Sequence, residues 1–235
     1  MKKTFLAFTT ALLAGFIAAV GLCIQALRMP QTVSTLAQEG MRIVVDAGHG
    51  GVDGGVTGKI TGVKESDVNL GISHKLCEVL TDMGFEVTLT RKTEAGLYGT
   101  ATKGFKKRDM LKRKEIIQKA DPDMVISVHQ NFYAAKTVRG GQVFYAKDRA
   151  DSKALAVALQ GRLNGLYKEY GVKERKESVG NYFMLECHDS PSVIVECGFL
   201  SNAADEELLA SETGQRKIAE TIAAGVVVYL AGASA

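Results

Sequence analysis

Two histidines and one glutamate stand at the ends of short apolar runs, the places where an α/β fold presents side chains that do chemistry, and a second glutamate opens a helical stretch. His49 closes Ile43-Val-Val-Asp-Ala-Gly-His49 and is set among Gly48, Gly50 and Gly51. His129 closes Met124-Val-Ile-Ser-Val-His129, and Glu196 closes Val193-Ile-Val-Glu196. Glu65 begins a helical stretch at Lys64-Glu65-Ser66-Asp67. A catalytic zinc ion takes three ligands from histidine and acidic oxygens and leaves a position open for water. His49, Glu65 and His129 supply that set from three separate elements, unlike the paired histidines of a helical H-E-x-x-H motif. The glycines let the backbone turn tightly and leave room above a metal, and Asp46 or Asp53 could fix the His49 tautomer as an acceptor. Glu196 follows a run as apolar as Pro191–Val195, where an acid is costly to bury unless paired or used. A general base working near pH 7 is one use for it.

Each residue also has an ordinary explanation. A single histidine after a strand is more often a satisfied core or surface side chain, and an acid at a helix start is favoured by the helix dipole alone. Two histidines at equivalent strand ends, one inside a glycine loop, shift the balance towards ligation. His74 and His188 lack comparable surroundings. Nucleotide binding is disfavoured: counting from Gly48, Asp53 falls where G-x-G-x-x-G needs its third glycine, and Gly58-Lys59 lacks the rest of a P-loop.

These residues require a scaffold that brings several strand ends together. From Met41 onward short apolar runs alternate with amphipathic stretches. Strands are expected at Arg42–Asp46, Phe85–Thr90, Met124–Val128, Gly141–Tyr145 and Val193–Glu196. Helices are expected at about Glu65–Met83, Arg108–Lys119, Asp151–Tyr170 and Gly214–Leu230. That order predicts one α/β domain, a mainly parallel twisted sheet with helices on both faces and the site at the carboxyl ends of the strands. The chain of 235 residues is long enough for such a domain, 41–235, plus an accessory segment. Met1-Lys2-Lys3 and the uncharged run to Leu27 make residues 1–28 a signal peptide or a membrane anchor, since about 20 apolar residues span a bilayer. Residues 29–40 read as a linker. Either form of the leader exports the rest.

The net charge of +3 is mild, and the basic stretch Lys103–Lys114 has no interleaved aromatic pattern, which argues against nucleic acid. It reads as a solvated helix face, with an anionic polymer as the other reading. Four cysteines without C-x-x-C spacing suggest isolated core thiols. The side chain of Cys197 is expected on the opposite strand face from Glu196.

Several stretches together resemble the zinc-dependent N-acetylmuramoyl-L-alanine amidases of bacterial cell walls. They are Val45-Asp-Ala-Gly-His49-Gly-Gly-Val-Asp53, Glu65, Thr88-Leu-Thr-Arg91, Ile126-Ser-Val-His129-Gln-Asn131 and Val195-Glu-Cys-Gly-Phe-Leu-Ser-Asn202. The resemblance spans Arg42 to Leu230. It implies zinc held by His49, Glu65 and His129, with Glu196 as catalytic acid and base, cutting the amide between muramic acid and L-alanine in peptidoglycan. Asn131 and Arg91 are candidates to position substrate or the site loop. Thr102-Lys-Gly-Phe-Lys-Lys-Arg108, Leu111-Lys-Arg113 and Gly141-Gln-Val-Phe-Tyr145 look most like the sporulation-cortex, germination-related type. That type implies stem-peptide removal ahead of muramic-δ-lactam formation, in the forespore intermembrane space or cortex, and the lack of a recognisable wall-binding module points to an activating helper protein. Departures from the family pattern are Ala47, Gln130 and Cys197. The rival readings are a zinc exopeptidase acting on peptide termini and a non-enzymatic wall-binding protein.

Overall fold

The strands Arg42–Ala47 (β1), Met124–Asn131 (β3) and Ser192–Phe199 (β6) are β-branched or apolar along nearly their whole length and buried on both faces, as the central strands of a parallel sheet must be. In the computed structural model, which describes residues 40–100 and 103–233, they lie side by side. Glu86–Leu89 (β2), Gln142–Tyr145 (β4) and Ser178–Val179 (β5) complete a six-stranded sheet of order β2-β1-β3-β6-β4-β5. Every pairing is parallel except β4 with β6.

Glu65–Asp82 (α1), Ala150–Lys168 (α3) and Glu212–Ala233 (α5) cover one face and pack on one another. Val45, Ile126, Val128 and Val195 meet Ile72, Leu76, Leu159 and Ile222 there in the larger core. Phe105–Ala120 (α2) and a single 3-10 turn at Phe183–Leu185 cover the other face, where Val44, Val125 and Ile194 pack on Ile117 and Leu185. Ala203–Ala210 (α4) precedes α5, capped by the Asn202 side chain, which accepts from the N–H groups of Ala204 and Asp205.

The predicted α/β architecture is the one observed, with differences at the ends of elements. β3 runs on to Asn131 and β6 to Phe199 because each keeps pairing past its functional residue. His129 pairs with Glu196 and Asn131 with Phe199, so Cys197 and Gly198 together oppose Gln130 in a bulge, a device common beside active sites. Tyr167 donates its hydroxyl to the Cys197 carbonyl at 2.6 Å, so the bulge leaves no orphaned acceptor there. The Cys197 side chain faces the larger core, opposite Glu196. β5, α4 and the 3-10 turn were not expected; each is too short to carry a period. The leader expected at 1–28 and nearly all of the linker expected at 29–40 lie outside the described residues. Among the described residues no helix is long and apolar enough to cross a membrane.

Candidate metal centre

The parallel order of β1, β3 and β6 sends their carboxyl ends to one edge, and α1 begins there. The chain leaves β1 through Gly48, His49, Gly50 and Gly51, and His49 itself adopts a left-handed φ of 61°. Such a conformation in a non-glycine residue persists only where its surroundings hold it. Here Arg113 donates to the His49 carbonyl, and Arg91 donates to the carbonyls of Ala47, Gly48 and Ser66 at 2.9, 3.0 and 2.7 Å. Gly48 is required at its position, since a Cβ there would lie 2.3 Å from the His129 ring.

Three donors converge across this edge. Glu65 Oε1 lies 3.2 Å from His49 Nε2 and 3.0 Å from His129 Nδ1, and the potential ligand atoms of the three residues all lie within 4.8 Å of one another. Glu65 Oε2 accepts from the Val56 N–H at 2.9 Å, and Oε1 also accepts from the Gln130 N–H at 3.2 Å. Burial alone would raise the Glu65 pKa; hydrogen bonds and charge from the two imidazoles outweigh it and hold the group well below the usual carboxylate range. Two neutral-capable imidazoles and one ionised carboxylate form a donor set suited to a divalent transition metal.

Asp53 Oδ1 lies 3.2 Å from His49 Nδ1, which points Nε2 at the cluster. The alternative acceptor, Asp46, does not reach the imidazole. It is fully buried, accepts from Thr90 Oγ1 at 2.6 Å and Ser127 Oγ at 2.5 Å, and pairs with Arg113 at 2.6 Å. Arg113 also pairs with Asp109 at 2.6 Å, and these bonds with the Arg113 charge bring Asp46 down to about 2 in spite of the opposing effect of burial.

Glu196 sits beside His129 in the strand register and lines the same cleft, a space of about 280 Å³ that His49 and His129 also face. Its Oε2 is buried and has no hydrogen-bond partner among the described residues. Burial pushes its pKa up to about 7; the neighbouring Glu65 adds to the rise, and His129 and His49 oppose it. An acid that costs stability and satisfies nothing around it is aimed at something that enters the cleft.

The two remaining candidates lie elsewhere. Arg91 is 3% exposed, and its hydrogen bonds go to backbone carbonyls of the site loops, so it holds the loop. Asn131 turns its Oδ1 back to the Phe132 N–H at 2.7 Å and is not among the residues lining the cleft. Gln130 points away from the cleft and donates to Asn69 Oδ1 at 3.1 Å, while Asn69 donates to the Gly48 carbonyl and Glu65.

Residues 43–227 match the family of N-acetylmuramoyl-L-alanine amidases. The chain belongs to that family. The amidase is therefore a hydrolase whose substrate is peptidoglycan, which sets aside the exopeptidase and the non-enzymatic readings. It is 30% identical over 199 residues to the germination-specific N-acetylmuramoyl-L-alanine amidase of Bacillus subtilis, covering 83% of this chain and 82% of that one. Its fold matches the CwlD amidase of Clostridioides difficile, solved in complex with the GerS lipoprotein, with a TM-score of 0.78 and 36% identity over 82% of this chain and 99% of that one. It is also similar to the amidase AmiA of Escherichia coli, at 27% identity over 81% of this chain and 76% of that one.

The residues around the amidase site that sequence reasoning missed are Arg113, Asp109, Asn69 and Glu206. Asp109 and Arg113 are spaced i, i+4 inside the basic stretch, which was the only available signal. Glu206, on α4, accepts from the N–H groups of Lys59, Ile60 and Thr61 and so anchors the loop that leads into Glu65. Nothing local in the sequence relates α4 to that loop.

Proposed function

We propose that the amidase uses zinc held by His49, Glu65 and His129, and that its natural work is the removal of stem peptides from spore cortex so that muramic-δ-lactam can form. The observation that carries the catalytic reading is the unpartnered Oε2 of Glu196 in the cleft beside the three converging donors. Zinc bound there would supply Lewis acidity, polarising the amide carbonyl and acidifying water towards a pKa of ~7. Glu196, with a pKa of about 7, takes the proton of the attacking water and returns it to the alanine nitrogen as that nitrogen leaves. Asp53 keeps His49 in the tautomer that presents Nε2, and Arg91 and Arg113 keep the His49 loop from relaxing out of its left-handed turn.

Support for the cortex role comes from the similarity to a relative named as germination-specific. The relative solved with a lipoprotein supports the further reading that a helper protein assists this amidase. The leader at 1–28 would place the amidase outside the cytoplasmic membrane, anchored or secreted. The test is zinc content and peptidoglycan digestion of the purified chain beside His129→Ala, with new ends identified by mass spectrometry. Stoichiometric zinc with stem peptides bearing a free L-alanine amine, both lost in the variant, is expected. Full activity in zinc-free protein would sink the metal assignment, and spores of a null strain that retained muramic-δ-lactam would sink the cortex role.

A further inference from the structure

The basic stretch of α2 is not uniformly a solvated face. Arg113 is drawn inward, and its donors are committed to Asp46, Asp109 and the carbonyls of Ala47 and His49. Lys106 lines the cleft together with His49, His129 and Glu196, while its side chain remains 71% exposed. Its ammonium stands 3.8 Å from Asp53 Oδ2, and Asp53 is in turn 3.2 Å from His49. An exposed ion pair at that distance contributes little, so the ammonium can take a second anion without losing a strong contact. Asp53 nevertheless keeps the flexible side chain at the mouth of the cleft.

We propose that Lys106 determines substrate specificity by binding a free carboxylate on the stem-peptide residue that follows L-alanine. The inference rests on the amidase assignment and extends it. In peptidoglycan that residue is a γ-linked glutamate whose α-carboxyl is either free or amidated, so a cation there separates two real forms of the substrate. The reach is suitable: two contacts separate Lys106 from a metal-site histidine, and an extended peptide advances about 3.3–3.6 Å per residue. Tyr182, Phe183 and Met184 give the cleft apolar and aromatic surface, leaving Lys106 and the buried, committed Arg113 as the cations among the residues lining the cleft. Arg113 cannot serve without abandoning Asp46 and Asp109.

The experiment is calorimetric titration of the chelator-treated full chain, which removes turnover, with the γ-methylamides of N-acetylmuramoyl-L-alanyl-D-glutamate and of its D-isoglutamine counterpart, so that the α-carboxyl alone differs and the γ-carboxyl is an amide as in the linked substrate. The wild type is expected to bind the free acid about fivefold more tightly than the amide, the scale of a partly solvated charge pair. Lys106→Met should bring the acid to the affinity of the amide while moving the amide less than twofold, and Lys106→Arg should restore the preference. Equal affinities in the wild type, an equal loss for both ligands in Lys106→Met, or no binding of either ligand would overturn the proposal. Cleavage of intact peptidoglycan by the zinc-loaded wild type is scored separately. A failed amidase and a charge-blind cleft therefore give different results.

Discussion

At the scale of single residues, the site depends on what is missing from Gly48 as much as on what His129 carries. Gly48→Ala should push the His129 ring from its place, and Asp53→Ala should release the His49 tautomer. Each is expected to weaken metal binding by about 10–100-fold, read by chelator competition. Unchanged affinity in both would mean that neither residue shapes the metal site. Glu196→Gln should behave differently, retaining metal while the rate of amide cleavage falls by about 10²–10⁴. The buried carboxylate of Asp46 carries a pH dependence. Its folded pKa of about 2 lies below the ordinary 3.8, so its stabilisation is complete above about pH 4 and is lost as pH falls through 2. The amount is about 2 kcal/mol. The urea midpoint of the wild type should therefore fall more steeply between pH 4 and 2 than that of Asp46→Asn; parallel curves would remove Asp46 from the account.

At the scale of elements, α2 is joined to the sheet by apolar contacts centred on the fully buried Ile117, with Met110 and Ala120 packed beside it, and by an ionic peg, Arg113. Removing the ionic one strands two buried acids. Arg113→Met is expected to cost about 3–5 kcal/mol in urea unfolding, against a much smaller change for the exposed Lys112→Met. The sequence could show that α2 is a helix, but not which cation turns inward, because that choice is made by Asp46 on a distant strand. The same distinction runs through the fold. β1, β3 and β6 are readable because doubly buried parallel strands are written as unbroken apolar runs, and the residue ending each run is therefore at the site. The antiparallel direction of β4 is unreadable because pairing direction leaves no local pattern. Asp46 stands three residues before His49 and Asp53 four after it, and only the turn of the glycine loop decides between them.

At the scale of the whole molecule, three elements far apart in sequence meet at the metal cluster, so a bound ion should act as a tie across the fold. Zinc at 100 times its dissociation constant should stabilise the chain by about 2.7 kcal/mol, seen as a rise in thermal midpoint that chelator reverses and His129→Ala lacks. The order of the sheet has a consequence of its own. The strands that carry His129 and Glu196 and the strand that leads into the His49 loop each have a strand on either side, whereas β2 and β5, of four and two residues, take the two edges. Amide protons should exchange first from those edges and last from β1, β3 and β6, which open only with the whole domain. A heat-stressed sample would then be a mixture of fully competent molecules and fully open ones, with its residual rate falling in proportion to the open fraction while the affinity of the survivors stays unchanged.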